Sequence, residues 1–359
     1  MESKKKINLL KNFWSKKKVL ITGHTGFKGS WLCILLEILN AEIHGVSLKP
    51  KKKSLFNQAN IIQNLSSNTY LDINNLDLLK KKLKKIKPEV IFHLAAQPLV
   101  LESYQDPVET FKTNIMGTVN LLEAIRSIKS IKSVVIITTD KVYKIGTKNK
   151  IYKEEDQLGG LDPYSASKVS VELIVKSYIK SFFDFSKLKN KISTARAGNV
   201  IGGGDYSKDR LIPDIIHSMN NNKILKIRNP NHIRPWQHVI EPLAGYLMLA
   251  EKQYKTDKNT LHTWNFGPYY KNFKKVGYIL KTMNSLKKFN FTIVKKVKNK
   301  ESKILKLNSL KAQKILKWKP KWNLERTLHY IFDWNKNVRN GKSAKQTCED
   351  QILMYLNKH

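Results

Sequence analysis

Residues 17–40 read KKVLITGHTGFKGSWLCILLEILN. The short apolar run VLIT reads as a strand, and from Phe27 onward apolar residues recur at helical spacing. Between the two, Gly23, Gly26 and Gly29 stand in the pattern GxxGxxG. A strand, a glycine turn and a helix, in that order, form the context in which such a triplet binds a dinucleotide. Glycine lets the turn close and lets the backbone approach a pyrophosphate, whose charge then faces the positive end of the helix. On this reading Thr25, Phe27 and Lys28 border the cofactor together with the three glycines.

The same alternation continues outward. Strand-like EIHGVSL (42–48), PEVIFHLAA (88–96), SVVIITTD (133–140) and KISTARAGNVIG (191–202) are separated by helical segments such as TFKTNIMGTVNLLEAIRSI (110–128) and YSASKVSVELIVKSYIKSF (164–182). Short strands joined through helices imply right-handed crossovers and a parallel sheet covered on both faces. The expected fold is α/β, a doubly wound parallel Rossmann sheet. From about residue 202 the alternation loosens into segments rich in Gly, Pro and aromatic residues, which predicts a smaller C-terminal substrate-binding domain.

Composition narrows the function. The 359 residues are 41% hydrophobic, enough for a large core. The basic first residues contain only INLL as an apolar run, too short for a secretory signal, and no stretch approaches the roughly 20 apolar residues of a membrane span. Two cysteines, Cys33 and Cys348, make no disulfide framework, and no Cys/His cluster suggests a metal. A soluble protein of a reducing cytoplasm is expected. The net charge of +38 raises nucleic acid as a partner, but only seven of the 66 basic residues are Arg. Bidentate phosphate and base contacts favour Arg. The lysines are also dispersed, including the tracts at 80–87 and 295–303, so neither nucleic acid nor membrane is expected to bind.

Chemistry is carried by two motifs. PYSASK places Tyr164 and Lys168 four residues apart, on one helical face. A phenol near pKa 10 is a weak base at neutral pH, and a nearby ammonium favours its ionised form. TTDKVY (138–143) closes an apolar strand with Thr139, Asp140 and Lys141. In a doubly wound sheet ligands sit beyond the carboxyl ends of the strands, so these three would face the cleft beside Tyr164. Oxidation of an alcohol needs only the hydroxyl there. An added acid and base suit removal of water, one taking a proton next to a ketone and the other giving a proton to a departing hydroxyl. Without them, Thr139 and Tyr164 would still suffice for oxidation or epimerisation. The second strand ends in GVSLKP with no carboxylate for an adenosine ribose, and Lys28 and Lys49 would tolerate a 2′-phosphate, so NADP stays open beside NAD.

The chain resembles the CDP-glucose 4,6-dehydratases of the extended short-chain dehydrogenase/reductase family. The resemblance rests on FWSKKKVLITGHTGFKGSWL (13–32), FHLAAQPLV (92–100), DPYSASK (162–168), RAGNVIGGGDYSKDRLIPD (196–214), IRNPNHIRPWQHV (227–239) and WNFGP (264–268). It implies NAD as cofactor, with Asp72, Ile73, Ala95, Ala96 and Gln97 also at its site, and CDP-glucose as substrate. It implies that Gln97, Asn199, Arg210, Leu211, Arg228, Arg234 and Asn265 bind that substrate, Trp236 being a weaker candidate. Tyr164 would take the proton of the 4-hydroxyl while C4 is oxidised. Lys141 would take the C5 proton as Asp140 protonates the leaving 6-hydroxyl, and hydride would return to C6. Residues 1–201, with 236–265 returning, would form the NAD-binding domain; 202–235 and 266–359 would bind the nucleotide sugar. A homodimer or dimer of dimers and a place in making deoxysugars for lipopolysaccharide or another surface glycan are implied in the same way. The chain departs from the pattern in its Lys-rich segment between Lys141 and Tyr164 and in Ala166, where Asn is common.

Overall fold

The computed structural model describes residues 10–146, 150–183, 191–256, 262–294 and 303–357. Residues 1–9 and most of the lysine tract at 295–303 lie outside the described residues. Seven parallel strands form the central sheet: β1 (Lys18–Thr22), β2 (Glu42–Ser47), β3 (Ser67–Tyr70), β4 (Val90–His93), β5 (Ser133–Ile137), β6 (Ile192–Ala197) and β7 (Thr263–Phe266). Their order is β3-β2-β1-β4-β5-β6-β7. The order reverses between β1 and β4, and that is where a doubly wound sheet opens its ligand crevice. The expected fold class is borne out.

Strand alternation sorts side chains into two cores. Val19 and Ile21 of β1 and Val135 of β5 join the cluster built around Trp14, Trp31 and Trp264. Leu20, Val134 and Ile136 point the other way, against the helices Leu76–Ile86, Gly117–Ile125 and Pro163–Tyr178. Such strands read as continuous apolar runs because neither face meets water.

Beyond β6 the chain builds a smaller layer. Helices Leu211–Asn221, Val276–Leu286 and Leu324–Arg339 share a core of Ile215, Met219, Ile279, Met283, Leu328 and Ile331. Helix Ile240–Lys255 returns to the sheet and leads into β7. One expectation needs correcting. The segment 266–359 was assigned wholly to the substrate unit, yet helix Ala344–Asn357 packs its Cys348, Ile352 and Tyr355 into the Trp31 core. The tie is polar as well as apolar: buried Glu241 of the returning helix accepts from Lys321 N (2.9 Å), Trp322 N (2.7 Å) and the Tyr355 hydroxyl (2.7 Å).

Candidate active site

The glycine turn has the geometry that a closely approached anion requires. Gly23 sits at φ +74°, and a Cβ there would lie 2.6 Å from Ala95 N. At Gly29 a Cβ would lie 2.2 Å from Gly23 O. Helix Phe27–Ile38 starts from Gly26 with no side chain capping it, and Gly26, Phe27 and Lys28 line the cleft, so the positive end of the helix is presented to it. The Thr25 hydroxyl bonds Ser47 Oγ at 2.8 Å and donates to Leu48 O at 3.1 Å, fixing the turn to the end of β2. These features fit a dinucleotide pyrophosphate.

A cleft of about 840 Å³ runs from this turn along the carboxyl ends of the strands into the smaller layer. Asp72, Ile73, Ala95, Ala96 and Gln97 line it near the turn. Asp72 is exposed and accepts from Asn74 N at 2.9 Å. Gln97 is held by Asn114, which accepts from Gln97 N at 2.8 Å, and by Thr110, whose hydroxyl accepts from Gln97 Nε2 at 2.8 Å. Lys49 stands at the end of β2, but Lys28 does not share that end. Its charge is felt with those of Arg210, Lys168, Asp140 and Asp205, and burial with the two cations brings it down to about 7. Lys28 therefore belongs beside the strand-end acid, which corrects its suggested place at an adenosine 2′-phosphate.

The catalytic candidates come together. After β5, Thr139 adopts the extended backbone that caps a short turn at Asp140–Val142, its hydroxyl accepting from Lys141 N at 3.3 Å. The same hydroxyl donates to Asp140 Oδ1 at 3.1 Å. Asp140 is 3% exposed, and its Oδ2 is buried with no hydrogen-bond partner among the described residues. Burial raises its carboxyl to about 6, against the opposing pull of Lys141, Thr139, Arg234 and Lys28. Tyr164, from helix Pro163–Tyr178, hydrogen-bonds Thr139; burial pushes its phenol to about 12, opposed by that bond and by the Arg210 charge. Lys168 donates to Ile137 O at 3.2 Å, and burial lowers it to about 8 with Glu172 as the opposing charge. Behind them His93, bonded to the hydroxyls of Thr22 (2.7 Å) and Thr118 (3.1 Å), is driven down to about 3 by burial and is neutral.

The far end of the cleft is lined by Asn199, Leu211, Arg228, Arg234 and Trp236. Arg210 pairs with Asp205 at 3.2 Å and Arg228 with Asp209 at 3.8 Å, while Arg234 is buried and donates to Ile233 O at 2.9 Å. Trp236 donates its indole N–H to Lys274 O at 3.0 Å. Asn265 is not in the cleft. It lies fully buried on β7, accepting from the Tyr143 hydroxyl at 2.7 Å and donating to Tyr152 O at 3.3 Å. Its expected contact with substrate is thereby corrected, because its amide is spent inside the protein. Asp205, the last residue of GGGD, anchors Arg210 from five residues away, a role that its place after three glycines does not signal.

A family model described as GDP-mannose 4,6 dehydratase matches residues 20–331. The chain belongs to the GDP-mannose 4,6 dehydratase family. Among curated relatives, CDP-glucose 4,6-dehydratase of Salmonella typhimurium is 42% identical over 352 residues, covering 96% of this chain and 98% of the relative. The resemblance read from the motifs is borne out. Among solved structures, UDP-glucuronic acid 4-epimerase of Bacillus cereus, in complex with UDP-glucuronic acid and NAD, superposes with a TM-score of 0.76 at 27% identity over 89% of this chain and 99% of that one. dTDP-glucose 4,6-dehydratase of Bacillus anthracis, with NAD, shares the fold at a TM-score of 0.76 and 23% identity over 92% of this chain and 99% of that one. The family fold thus serves dehydratases and an epimerase alike, and the strand end must separate them.

Proposed function

We propose that this protein is a CDP-glucose 4,6-dehydratase, forming CDP-4-keto-6-deoxy-D-glucose by loss of water. The observation that carries the reading is Asp140: a buried carboxyl raised to about 6, with one oxygen lacking a hydrogen-bond partner among the described residues, beside Lys141 and across from Tyr164. An epimerase has no task for such an acid. The 42% identity to the Salmonella enzyme supports the nucleotide and sugar.

The glycine turn with Asp72, Ile73, Ala95 and Ala96 would hold NAD, which when bound would store the hydride that leaves C4 of the sugar and is returned to C6 as C5 regains its proton. Tyr164 takes the proton of the 4-hydroxyl. Its high pKa makes that transfer dependent on positive charge, which Arg210 provides, and the hydrogen bond with Thr139 holds the phenol in place. The 4-ketone acidifies the C5 hydrogen, and Lys141, or a group it activates, accepts that proton. The C6–O bond breaks as Asp140 gives its proton to the departing oxygen, so water leaves and the double bond forms between C5 and C6. Arg210, Arg228 and Arg234 neutralise the diphosphate from the cleft's far side. A second copy of this chain is the partner proposed for the exposed apolar face of the helices Pro107–Phe111 and Pro163–Tyr178.

Purified protein incubated with NAD and, in parallel, CDP-glucose, UDP-glucose, dTDP-glucose or UDP-N-acetylglucosamine tests this, with NMR following each sugar. A 4-keto-6-deoxy product from CDP-glucose is expected. A galactose-configured product, or no loss of water from any of the four, would sink the reading.

A further inference from the structure

Tyr164, Lys168 and Glu172 follow one another at four-residue spacing and share a face of their helix. That face grips three consecutive residues of the strand end. Lys168 holds Ile137 O, Tyr164 bonds Thr139, and between them Glu172 Oε1 accepts from the Thr138 hydroxyl at 2.6 Å. Glu172 also forms a buried two-pronged pair with Arg196 of β6, Nε to Oε1 at 2.9 Å and Nη2 to Oε2 at 3.0 Å, and accepts from Thr194 at 2.7 Å. Arg196 then reaches past the turn: its Nη1 donates to the Tyr143 hydroxyl at 2.9 Å, and its guanidinium lies 4.9 Å from the centre of the Tyr143 ring. Thr138 and Tyr143 bracket Asp140 and Lys141. A buried ion pair is seldom the most stable filling for a core, so one that also holds Thr138 and Tyr143 on either side of a catalytic turn points to a purpose other than stability.

We propose that Glu172 and Arg196 are positioning residues that hold both ends of the turn 138–143, and so set where Asp140 and Lys141 meet the C5–C6 edge of the sugar. This rests on the dehydratase reading. Oxidation at C4 draws on Tyr164 and Thr139, which keep their own bond when the Tyr143 end is released. Elimination draws on Asp140 and Lys141, and a small displacement there is costly because reactivity depends steeply on alignment.

Tyr143→Phe removes one end of the clamp while retaining the ring that stacks on Tyr152 at 5.0 Å. Thr138→Val removes the other while retaining its volume. Each is mixed with NAD and CDP-glucose in a single turnover, following reduced nicotinamide by absorbance and 4-keto-6-deoxy product by quenching. The expected result is product formation slowed on the order of tenfold or more, with reduced nicotinamide accumulating and KM unchanged. Product forming at the wild-type rate would overturn the proposal. So would equal slowing of both signals, which marks a merely structural role. Should Tyr143→Phe lose the wild-type circular dichroism, Thr138→Val decides from the other end. Wild-type protein runs alongside, and its failure to release product would strike the dehydratase reading and not the clamp.

Discussion

Asp140 is asked to be an acid in a place that disfavours its charge. Its folded pKa, about 6, lies above the usual aspartate value of about 3.9, so the native state binds the proton more tightly than the unfolded chain does. The stability this proton confers is complete below about pH 4 and lost as pH rises through about 6, a difference on the order of 3 kcal/mol. Asp140→Asn, which cannot ionise, should therefore melt higher than wild type near pH 8 and at about the same temperature near pH 4. Dehydration in the same variant should fall on the order of 10²–10⁴-fold. Thermal melts at the two pH values and a product assay check both halves, and an unchanged melting point near pH 8 would mean that the carboxylate is well solvated.

At the scale of elements, the glycine turn is a tight backbone fit. Gly29→Ala would drive a methyl group to 2.2 Å from Gly23 O and 2.6 Å from His24 Cα, whereas Gly146 has nothing within 4 Å. Gly29→Ala should cost about 1–3 kcal/mol or more and weaken NAD binding, while Gly146→Ala stays within about 0.5 kcal/mol. Denaturant melts and calorimetric titration with NAD test the pair; equal behaviour of the two would contradict the close approach. This turn and the Tyr164/Lys168 pair were legible because their partners are near in sequence and their spacing is the signal. The Glu172–Arg196–Tyr143 clamp was not, since its members come from three elements 24 and 53 residues apart and each looks ordinary alone. Asn265 was misplaced for a related reason. A polar residue in an apolar strand reads alike whether it faces a ligand or a buried Tyr143. Lys28 was misjudged because the pattern fixes its position in the turn and leaves its direction open.

For the whole molecule, most apolar surface is internal, yet Val108 (74% exposed), Met116 (48%), Leu173 (56%) and Phe182 (47%) stand out around the helices beside the tyrosine. Exposed apolar side chains of this kind are what the proposed contact with a second copy would cover. The protein should sediment as a dimer, and Leu173→Glu with Met116→Glu should return it to the monomer mass. A wild-type monomer at micromolar concentration would contradict the assignment. The fold class and parallel sheet were legible because alternation of strand and helix recurs many times. The docking of helix Ala344–Asn357 on the first half was not, because an amphipathic helix does not record which of two cores it covers.

That docking has a consequence for synthesis. Lys345 bonds Glu37 at 2.5 Å across 308 residues, and β7 pairs with β6 only after helices Leu211–Asn221 and Ile240–Lys255 have been threaded between them. A nascent chain leaving the ribosome thus carries a first half whose tryptophan core lacks its outer wall until helix Ala344–Asn357 is translated. Folding of the cofactor half therefore waits for a helix more than 300 residues away from the helix it covers, and until then the exposed core is a natural client for chaperones.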